Sequence, residues 1–197
     1  MFMKTVLLAL ILSVLFITSR VSADEAVLAG GCFWCMEADF EKLDGVTDVV
    51  SGFTGGETPN PTYNGNHQGH YEVVKISYDA NKVTYQQILD HYWLNIDPFD
   101  ERGQFCDKGH SYLSAIFVAN EQERAIAEQS KKAVQAQFPE QTVVTPILAT
   151  KRFYPIKGNE IDHQDFYKKS PVRYKFYRWN CGRDQRLEEI WGEKASH

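Results

Sequence analysis

The sequence predicts an α+β fold in which helices cover a central mixed or antiparallel sheet. Within this class, the sequence predicts a ferredoxin-like split βαβ core with long loops and an extended C-terminal tail. Apolar residues alternate with the period of strands in some segments and recur every three or four residues in others, as in helices. The resulting order is strand, helix, strand, strand, helix, strand, and further helices and strands are added to it. This order fits a split βαβ arrangement better than a doubly wound sheet.

The first half of the chain is predicted to form a strand and a helix, followed by two strands that flank a long loop. Residues 26–30 form an apolar run typical of a strand, and residues 32–43 carry apolar side chains at helical spacing. Residues 46–53 and Tyr71–Tyr78 are predicted strands, and the second alternates as a strand with one buried face does. Residues 54–69 between them are rich in Gly, Pro and Asn, and long ordered loops are often functional.

The second half is predicted to continue the alternation. Its elements are a helix at 84–94, a loop at 97–110, a strand at 114–119, a helix at 121–137, a strand at 142–149, a short helix at 159–169 and a weak helix at 184–191 within the tail that begins at Ser170. Thr84 and Asn120 are the predicted N-caps, since their side-chain oxygens accept hydrogen bonds from unpaired N–H groups at a helix start.

The N-terminal segment is predicted to be a secretory signal peptide at residues 1–23. Lys4 precedes an apolar run at 6–17, and small residues that end at Ala23 suit a cleavage site. An uncleaved anchor is the alternative. We expect residues 24–197 to form a single catalytic domain. Such a signal predicts export, with the periplasm as the expected destination.

Charge excludes several classes of function for this domain. The 197-residue chain has a net charge of −5, and removal of residues 1–23 with their two basic side chains leaves −7. There is no basic stripe for nucleic acid and no second apolar stretch for a membrane span after signal cleavage. We expect a monomer, because no interface signature is present.

The four cysteines stand at 32, 35, 106 and 181. Two structural disulfides would be the ordinary interpretation in an exported protein. However, a domain of this size needs no such cross-links, and the spacing is unlike that of small disulfide-rich domains. Cys32 and Cys35 are also too close in sequence to stabilise much by loop closure. We therefore expect a redox-active thiol, which in an oxidising compartment requires a reductant partner.

Cys32 is the predicted nucleophile. It follows two glycines at the start of a predicted helix, where unpaired N–H groups and the helix dipole favour a thiolate, so a lowered pKa is expected. Cys35 lies one helical turn later, within reach of a disulfide. A metal-binding module of Cys32, Cys35, His67 and His70 is an alternative, although the two histidines lie on a glycine-rich loop.

Glu72 is the predicted proton donor. It shares the parity of Val74 and Ile76 in its strand, which places the carboxyl group on the buried face. Burial raises the pKa of a carboxyl group and makes it an acid near neutral pH.

Several ordered motifs together resemble the A-type peptide methionine sulfoxide reductases. They are Gly31-Cys32-Phe33-Trp34, the segment from Gly52 to Gly56, the segment from Pro59 to Tyr63, Gly69-His70-Tyr71-Glu72, Asp97-Pro98 and the segment from Asp107 to Ile116. The resemblance runs from about Ala26 to the 160s. It implies reduction of the S epimer of methionine sulfoxide, free or in peptides and proteins, with no bound cofactor and with an external thioredoxin-like dithiol as reductant.

The resemblance also implies a role for each matching residue. Cys32 is the nucleophile that becomes a sulfenic acid, and Glu72 is the acid. Tyr63 and Tyr112 hold the sulfoxide oxygen, and Asp107 belongs to the same polar network. Phe33 and Trp34 form the apolar wall that receives the substrate methyl group.

The sequence leaves the resolving cysteine open among Cys35, Cys181 and Cys106, or a relay of two of them. Cys35 has the favourable position, one helical turn after Cys32. Two of these cysteines depart from the family pattern, since many members have Gly where Cys35 stands and other residues are usual where Cys106 stands. A general thiol–disulfide oxidoreductase that uses Cys32 and Cys35 is the alternative function. A Cys–His hydrolase is less favoured, since no motif directs a histidine to Cys32.

Overall fold

A computed structural model of the protein describes residues 24–195, so the predicted signal peptide lies outside the described residues. The strands are β1 Asp24–Gly30, β2 Val46–Thr54, β3 Tyr71–Tyr78, β4 Gly103–Gln104, β5 Asp107–Lys108, β6 Ser114–Val118, β7 Ile147–Ala149 and β8 Tyr154–Pro155. The helices are α1 Phe33–Phe40, α2 Tyr85–Leu94, α3 Glu121–Gln137, α4 Phe166–Lys169, α5 Pro171–Asn180 and α6 Arg183–Trp191. Short 3₁₀ turns occupy His110–Tyr112, Gly158–His163 and Gly192–Lys194.

The six-stranded sheet confirms the predicted α+β class. Its strand order is β7-β6-β1-β3-β2-β8. β3 lies between β1 and β2 and is antiparallel to both, and β1 lies in the same way between β3 and β6. Each of α1 and α2 therefore connects two strands that are separated by a third, which is the split βαβ arrangement. β7 pairs in parallel with β6, so the sheet is mixed.

The alternation of side chains along the strands divides the core between the two faces of the sheet. Ala26 and Leu28 of β1 point to the main core, which includes buried side chains of α1 and α2. Val27 and Ala29 point to a smaller cluster on the opposite face. This period of two is the pattern from which the strands were predicted.

Helix caps follow the prediction closely. Thr84 accepts a hydrogen bond from the N–H of Gln87, whose side chain in turn accepts from the N–H of Thr84, a complete capping box. The side chain of Asn120 accepts from the N–H of Glu123 at the start of α3. Both helices begin and end within one residue of the prediction.

Several predicted boundaries are wrong. α1 ends at Phe40 rather than residue 43, and the strand predicted at 142–149 is reduced to β7. The helix predicted at 159–169 is divided into a 3₁₀ turn and α4, because Asp165 adopts a left-handed conformation with φ 54°. The two-residue strands β4, β5 and β8 are too short to produce a periodic signal.

The C-terminal tail is helical where an extended tail with one weak helix was predicted. α5 and α6 pack on the domain through two buried arginines. Arg178 donates to both carboxylate oxygens of Asp39 on α1, at 2.9 and 3.0 Å. Arg183 donates to the carbonyl oxygen of Asn95 at 2.6 Å. No helix within residues 24–195 is both long and apolar enough to cross a bilayer.

Candidate active site

Cys32 lies where β1 turns into α1. Its carbonyl oxygen accepts hydrogen bonds from the N–H groups of Cys35 at 3.1 Å and Met36 at 3.3 Å. The preceding Gly31 has φ +82°, and a Cβ there would lie 2.6 Å from the side chain of Gln104. The turn therefore requires glycine, and it sets the Cys32 sulfur at the first turn of the helix.

The predicted lowering of the pKa of Cys32 is wrong. Burial is the largest cause that raises the pKa of this thiol well above its ordinary value, and the side chain is only 7% exposed. A hydrogen bond to Cys35 and the nearby Cys35 and Glu72 charges raise it further, whereas a hydrogen bond with Tyr177 lowers it. The cost of removing a thiolate from water exceeds the benefit of the helix N-terminus.

Cys35 is the more acidic thiol of the pair. Its pKa is lowered chiefly by the hydrogen bond from Cys32, and the positive charges of Arg183 and Arg178 act in the same direction. Burial opposes this shift. The two sulfurs are in hydrogen-bonding contact, so Cys35 is close enough to react with an oxidised Cys32.

Glu72 lies on the buried face of β3, as predicted. It is 1% exposed, and burial is the main reason that its pKa rises to about 8. The N–H of Phe33 donates to its carboxyl oxygen at 3.1 Å. Phe33 is the first residue of α1, so the carboxyl group lies beside Cys32 at the start of the same helix. At neutral pH most of this group is protonated, and it can donate a proton at that point.

The structure brings Tyr63, Tyr112 and Asp107 to the same place. Burial is the main cause that raises the pKa of each phenol, and the charges of Glu72, Cys32 and Asp107 raise both further. Burial also raises the pKa of Asp107. Both phenols therefore stay protonated over the physiological range and can donate hydrogen bonds to an oxygen atom beside Cys32.

Phe33 and Trp34 line the apolar side of the site. Phe33 is fully buried and lies against Phe53 and Tyr63, with both ring centroids at 5.9 Å. Trp34 is half-buried and stacks on Phe166 at 3.9 Å. The indole N–H donates to Nδ1 of His163 at 3.2 Å. Trp34 is therefore held in a fixed orientation while part of its surface stays open to a ligand.

Sequence reasoning missed Tyr177. Its phenol donates to the carboxylate of Asp107, lies close enough to Cys32 to lower the pKa of that thiol, and packs edge-on against Trp34 at 5.5 Å. The residue lies on α5, far from the other site residues in sequence. The only available signal was that the tail is rich in Tyr, Trp and Arg, and this composition does not identify a particular residue.

The remaining two cysteines form a disulfide. Cys106 and Cys181 are joined with their Cα atoms 4.9 Å apart, while Cys32 and Cys35 are free. The sulfurs of Cys106 and Cys181 lie 3.8 and 3.9 Å from carboxylate oxygens of Asp107. The disulfide therefore borders the site without including the predicted nucleophile.

The two histidines of the alternative metal site contact backbone groups of their own loop instead. Nδ1 of His67 lies 2.8 Å from the carbonyl oxygen of Thr62, and buried His70 accepts from the N–H of Gly56 at 3.3 Å. Within the part of the chain that the structure describes, these histidines do not form a ligand cluster with Cys32 and Cys35. The metal-module interpretation is therefore wrong for this arrangement.

Comparisons with known proteins agree with the chemistry of the site. The model of the family described as peptide methionine sulfoxide reductase matches residues 24–195. "Peptide methionine sulfoxide reductase MsrA 2" of Caulobacter vibrioides is 44% identical over 194 residues, covering 95% of this chain and 97% of that protein. "Peptide methionine sulfoxide reductase MsrA/MsrB" of Vibrio cholerae is 44% identical over 179 residues, covering 89% of this chain. The match spans 47% of that longer protein.

Solved structures show the same fold. Methionine sulfoxide reductase A of Corynebacterium diphtheriae superposes with a TM-score of 0.64 at 28% identity, covering 79% of this chain and 78% of that one. Mxr1 from Saccharomyces cerevisiae in complex with Trx2 superposes with a TM-score of 0.52 at 19% identity. That match covers 75% of this chain and 86% of that one.

Proposed function

The chain belongs to the peptide methionine sulfoxide reductase family, A type, and reduces methionine sulfoxide; from this premise we propose how its residues do so. The substrate is the S epimer, free or within peptides and proteins. The observation that carries the proposal is the buried carboxyl group of Glu72, with its pKa of about 8, beside the free thiol of Cys32.

The first step makes the sulfenic acid. Tyr63 and Tyr112 donate hydrogen bonds to the sulfoxide oxygen, and Glu72 transfers its proton to that oxygen as the sulfur of Cys32 attacks the sulfoxide sulfur. The attack forms a sulfur–sulfur bond between Cys32 and the substrate, and the thiol proton of Cys32 passes to Glu72. The hydroxyl then leaves the substrate sulfur for the sulfur of Cys32 as this sulfur–sulfur bond breaks. The products are methionine and Cys32 sulfenic acid, so the substrate sulfur is reduced by two electrons and Cys32 is oxidised by two.

The second step forms a disulfide. Cys35 is the resolving residue in this proposal, because its sulfur already contacts Cys32 and its pKa is lowered. The sulfur of Cys35 attacks Cys32 sulfenic acid, a sulfur–sulfur bond forms and water leaves. An external dithiol then returns the two electrons. That the yeast protein Mxr1 forms a complex with Trx2 supports a thioredoxin-like partner for this chain.

General disulfide exchange is a poorer fit to the site. Cys32 is 7% exposed and Cys35 is 2% exposed, so a protein disulfide cannot approach either sulfur without rearrangement. Such exchange also has no need of a protonated carboxyl group or two phenols beside the thiol.

Single-turnover reduction of the S and R epimers tests the proposal, with protein whose Cys32 and Cys35 thiols are free and whose Cys106–Cys181 disulfide is intact, as in the structure. We expect one methionine per protein from the S epimer only, with a Cys32–Cys35 disulfide identified by mass spectrometry. In Cys35→Ser, the matched variant, methionine still forms and the sulfenic acid persists long enough for capture by dimedone. Absence of methionine from both epimers would return the chain to general disulfide exchange.

We propose in addition that the protein is exported as a monomer to the periplasm after cleavage behind Ala23. The sequence of residues 1–23 supports this. Cell fractionation with N-terminal mass analysis tests it, and a cytoplasmic protein with an intact N-terminus would contradict it.

A further inference from the structure

The outer face of α5 is apolar and uncovered. Among the described residues, the exposed large apolar side chains are Ile161 and three residues of α5: Val172 at 81%, Phe176 at 64% and Trp179 at 75% exposure. The three lie at positions i, i+4 and i+7, which places them on one side of the helix. We call these three residues the outer face of α5. Phe176 and Trp179 have their ring centroids 6.1 Å apart.

This face is exposed although α5 is held firmly against the rest of the domain. Its opposite side buries Tyr174 and Arg178, and Arg178 is bonded to Asp39 of α1. Exposed apolar groups gathered on one firmly held helix mark an interaction site rather than incomplete folding.

Charge distinguishes α5 from the rest of the molecule. The helix carries Arg173, Lys175 and Arg178 and has no acidic residue, although the whole chain has a net charge of −5. Arg173 and Lys175 are exposed beside the outer face. A partner with an apolar contact surface and acidic side chains at its rim complements this pattern.

The position of α5 identifies what kind of partner this is. The helix ends at Asn180 and its C-cap is Cys181, whose N–H donates to the carbonyl oxygen of Tyr177 at 2.9 Å. Trp179 is two residues from Cys181. Cys181 is bonded to Cys106, which is exposed in the turn between β4 and β5. The disulfide therefore has one exposed residue and lies at the end of an apolar helix face, where another protein can approach it, whereas Cys32 and Cys35 are buried.

We propose that the outer face of α5 is the docking surface for a protein dithiol reductant, and that this reductant acts on the Cys106–Cys181 disulfide. The inference rests on the proposed function, for which it names the point where electrons enter.

The reductant reduces the Cys106–Cys181 disulfide in two exchange steps. A thiolate of the reductant attacks the sulfur of Cys106, the exposed residue of the pair, the Cys106–Cys181 bond breaks, and Cys181 leaves and takes up a proton beside Asp107. The second thiol of the reductant attacks the mixed disulfide and releases Cys106 as a thiol. Two electrons and two protons pass to the pair, and the reductant leaves as a disulfide.

The reduced pair then regenerates the active site. One of its thiolates attacks the Cys32–Cys35 disulfide and the other resolves the mixed disulfide, so Cys106–Cys181 forms again and both active-site thiols are restored. Asp107 contacts both outer sulfurs and is joined through Tyr177 to Cys32, so the two pairs border one polar cluster.

Steady-state reduction of free methionine sulfoxide, driven either by a bacterial thioredoxin with its reductase and NADPH or by dithiothreitol, tests the docking surface. Phe176→Ser and Trp179→Ser should each raise the KM for thioredoxin by about 5- to 30-fold, the usual effect of truncating an interface residue. Turnover with dithiothreitol should not change. Ile161→Ser, 48% exposed outside α5, is the matched control and should leave both unchanged.

An unchanged KM in both α5 variants, or an equal loss with dithiothreitol, would overturn the docking surface. Absence of dithiothreitol-driven turnover in the unsubstituted protein would instead reject the proposed function.

A second measurement does not depend on catalysis. Thioredoxin that lacks its second active-site cysteine should form a trapped adduct with the oxidised protein at Cys106, identified by mass spectrometry. An adduct at Cys32 or Cys35, or no adduct when dithiothreitol does reduce the disulfide, would refute the assignment.

Discussion

At the scale of single residues, burial determines the acidity of the candidate active site. Removal from water raises the pKa of Cys32 and of Glu72, so both groups hold protons where an exposed thiol or carboxyl group would begin to lose them. The reaction therefore begins from a protonated acid, and the interactions of Cys32 with Cys35 and Tyr177 adjust the pKa of the attacking thiol.

The first prediction concerns Glu72→Gln. Loss of the acid should slow the single-turnover formation of methionine by about 100- to 10,000-fold, the usual contribution of general acid catalysis. A group with a raised pKa of about 8 is protonated below that pH, so the rate with Glu72 present should fall as pH rises through 8. The variant should lack this fall, as measured by rapid quench over pH 6–9. An unchanged rate would remove Glu72 from the acid role.

The second prediction concerns Tyr177→Phe. The phenol's hydrogen bond lowers the pKa of Cys32, so its loss should slow alkylation of Cys32 by iodoacetamide at pH 8. About fivefold is expected for one hydrogen bond worth about 1 kcal/mol. Tyr167→Phe on α4 is the control and should not change the rate. Faster alkylation in Tyr177→Phe would show that the ring mainly shields the sulfur.

At the scale of elements, α5 links the site to the surface. The inner side of α5 places Tyr177 beside Cys32 and Asp107, whereas its outer face is exposed to solvent. Arg178 fixes the helix to α1 through Asp39, whose side chain is almost completely buried. Together with the hydrogen bonds of Arg183, this ion pair holds the tail in its position beside Cys32.

The third prediction tests that ion pair. Arg178→Met leaves the buried carboxylate of Asp39 without its main partner and should lower the free energy of unfolding by about 3–5 kcal/mol in urea titration. Alkylation of Cys32 should also accelerate as α5 loosens. In Arg178→Met/Asp39→Leu part of the stability should return, because the carboxylate that Arg178→Met leaves without its main partner is also removed. Arg183 loses the Asp39 carboxylate 3.8 Å away but keeps its hydrogen bonds to the carbonyl oxygens of Gly30 and Asn95. Full stability of the single variant would show that the pair does not anchor α5.

At the scale of the whole molecule, the Cys106–Cys181 disulfide joins the β4–β5 turn to the C-terminal helices. It closes a loop between residues separated by 75 positions. A cross-link of this span restricts the unfolded chain, whatever its part in electron transfer.

The fourth prediction follows from that cross-link. Cys106→Ser should lower the free energy of unfolding of the oxidised protein by about 2–4 kcal/mol relative to the unsubstituted chain. In the presence of a reducing agent the difference should vanish, since both proteins then lack the bond. Equal stability under oxidising conditions would show that the disulfide is not formed in most molecules.

Local patterns in the sequence determined most of the fold and part of the site. The alternation in β3 identified the buried side of Glu72, the caps at Thr84 and Asn120 fixed two helix starts, and the order of elements gave the split βαβ core. These features depend on residues that are neighbours in the chain, so a period of 2.0 or 3.6 reports them directly.

The tertiary structure alone decided how the tail meets the site. The contact of Tyr177 with Cys32, the pairing of Arg178 with Asp39 and the Cys106–Cys181 bond each join residues more than 70 positions apart. The sign of the Cys32 pKa shift was missed for the same reason. A sequence shows that a thiol begins a helix, whereas the depth of its burial depends on elements that pack over it from distant parts of the chain.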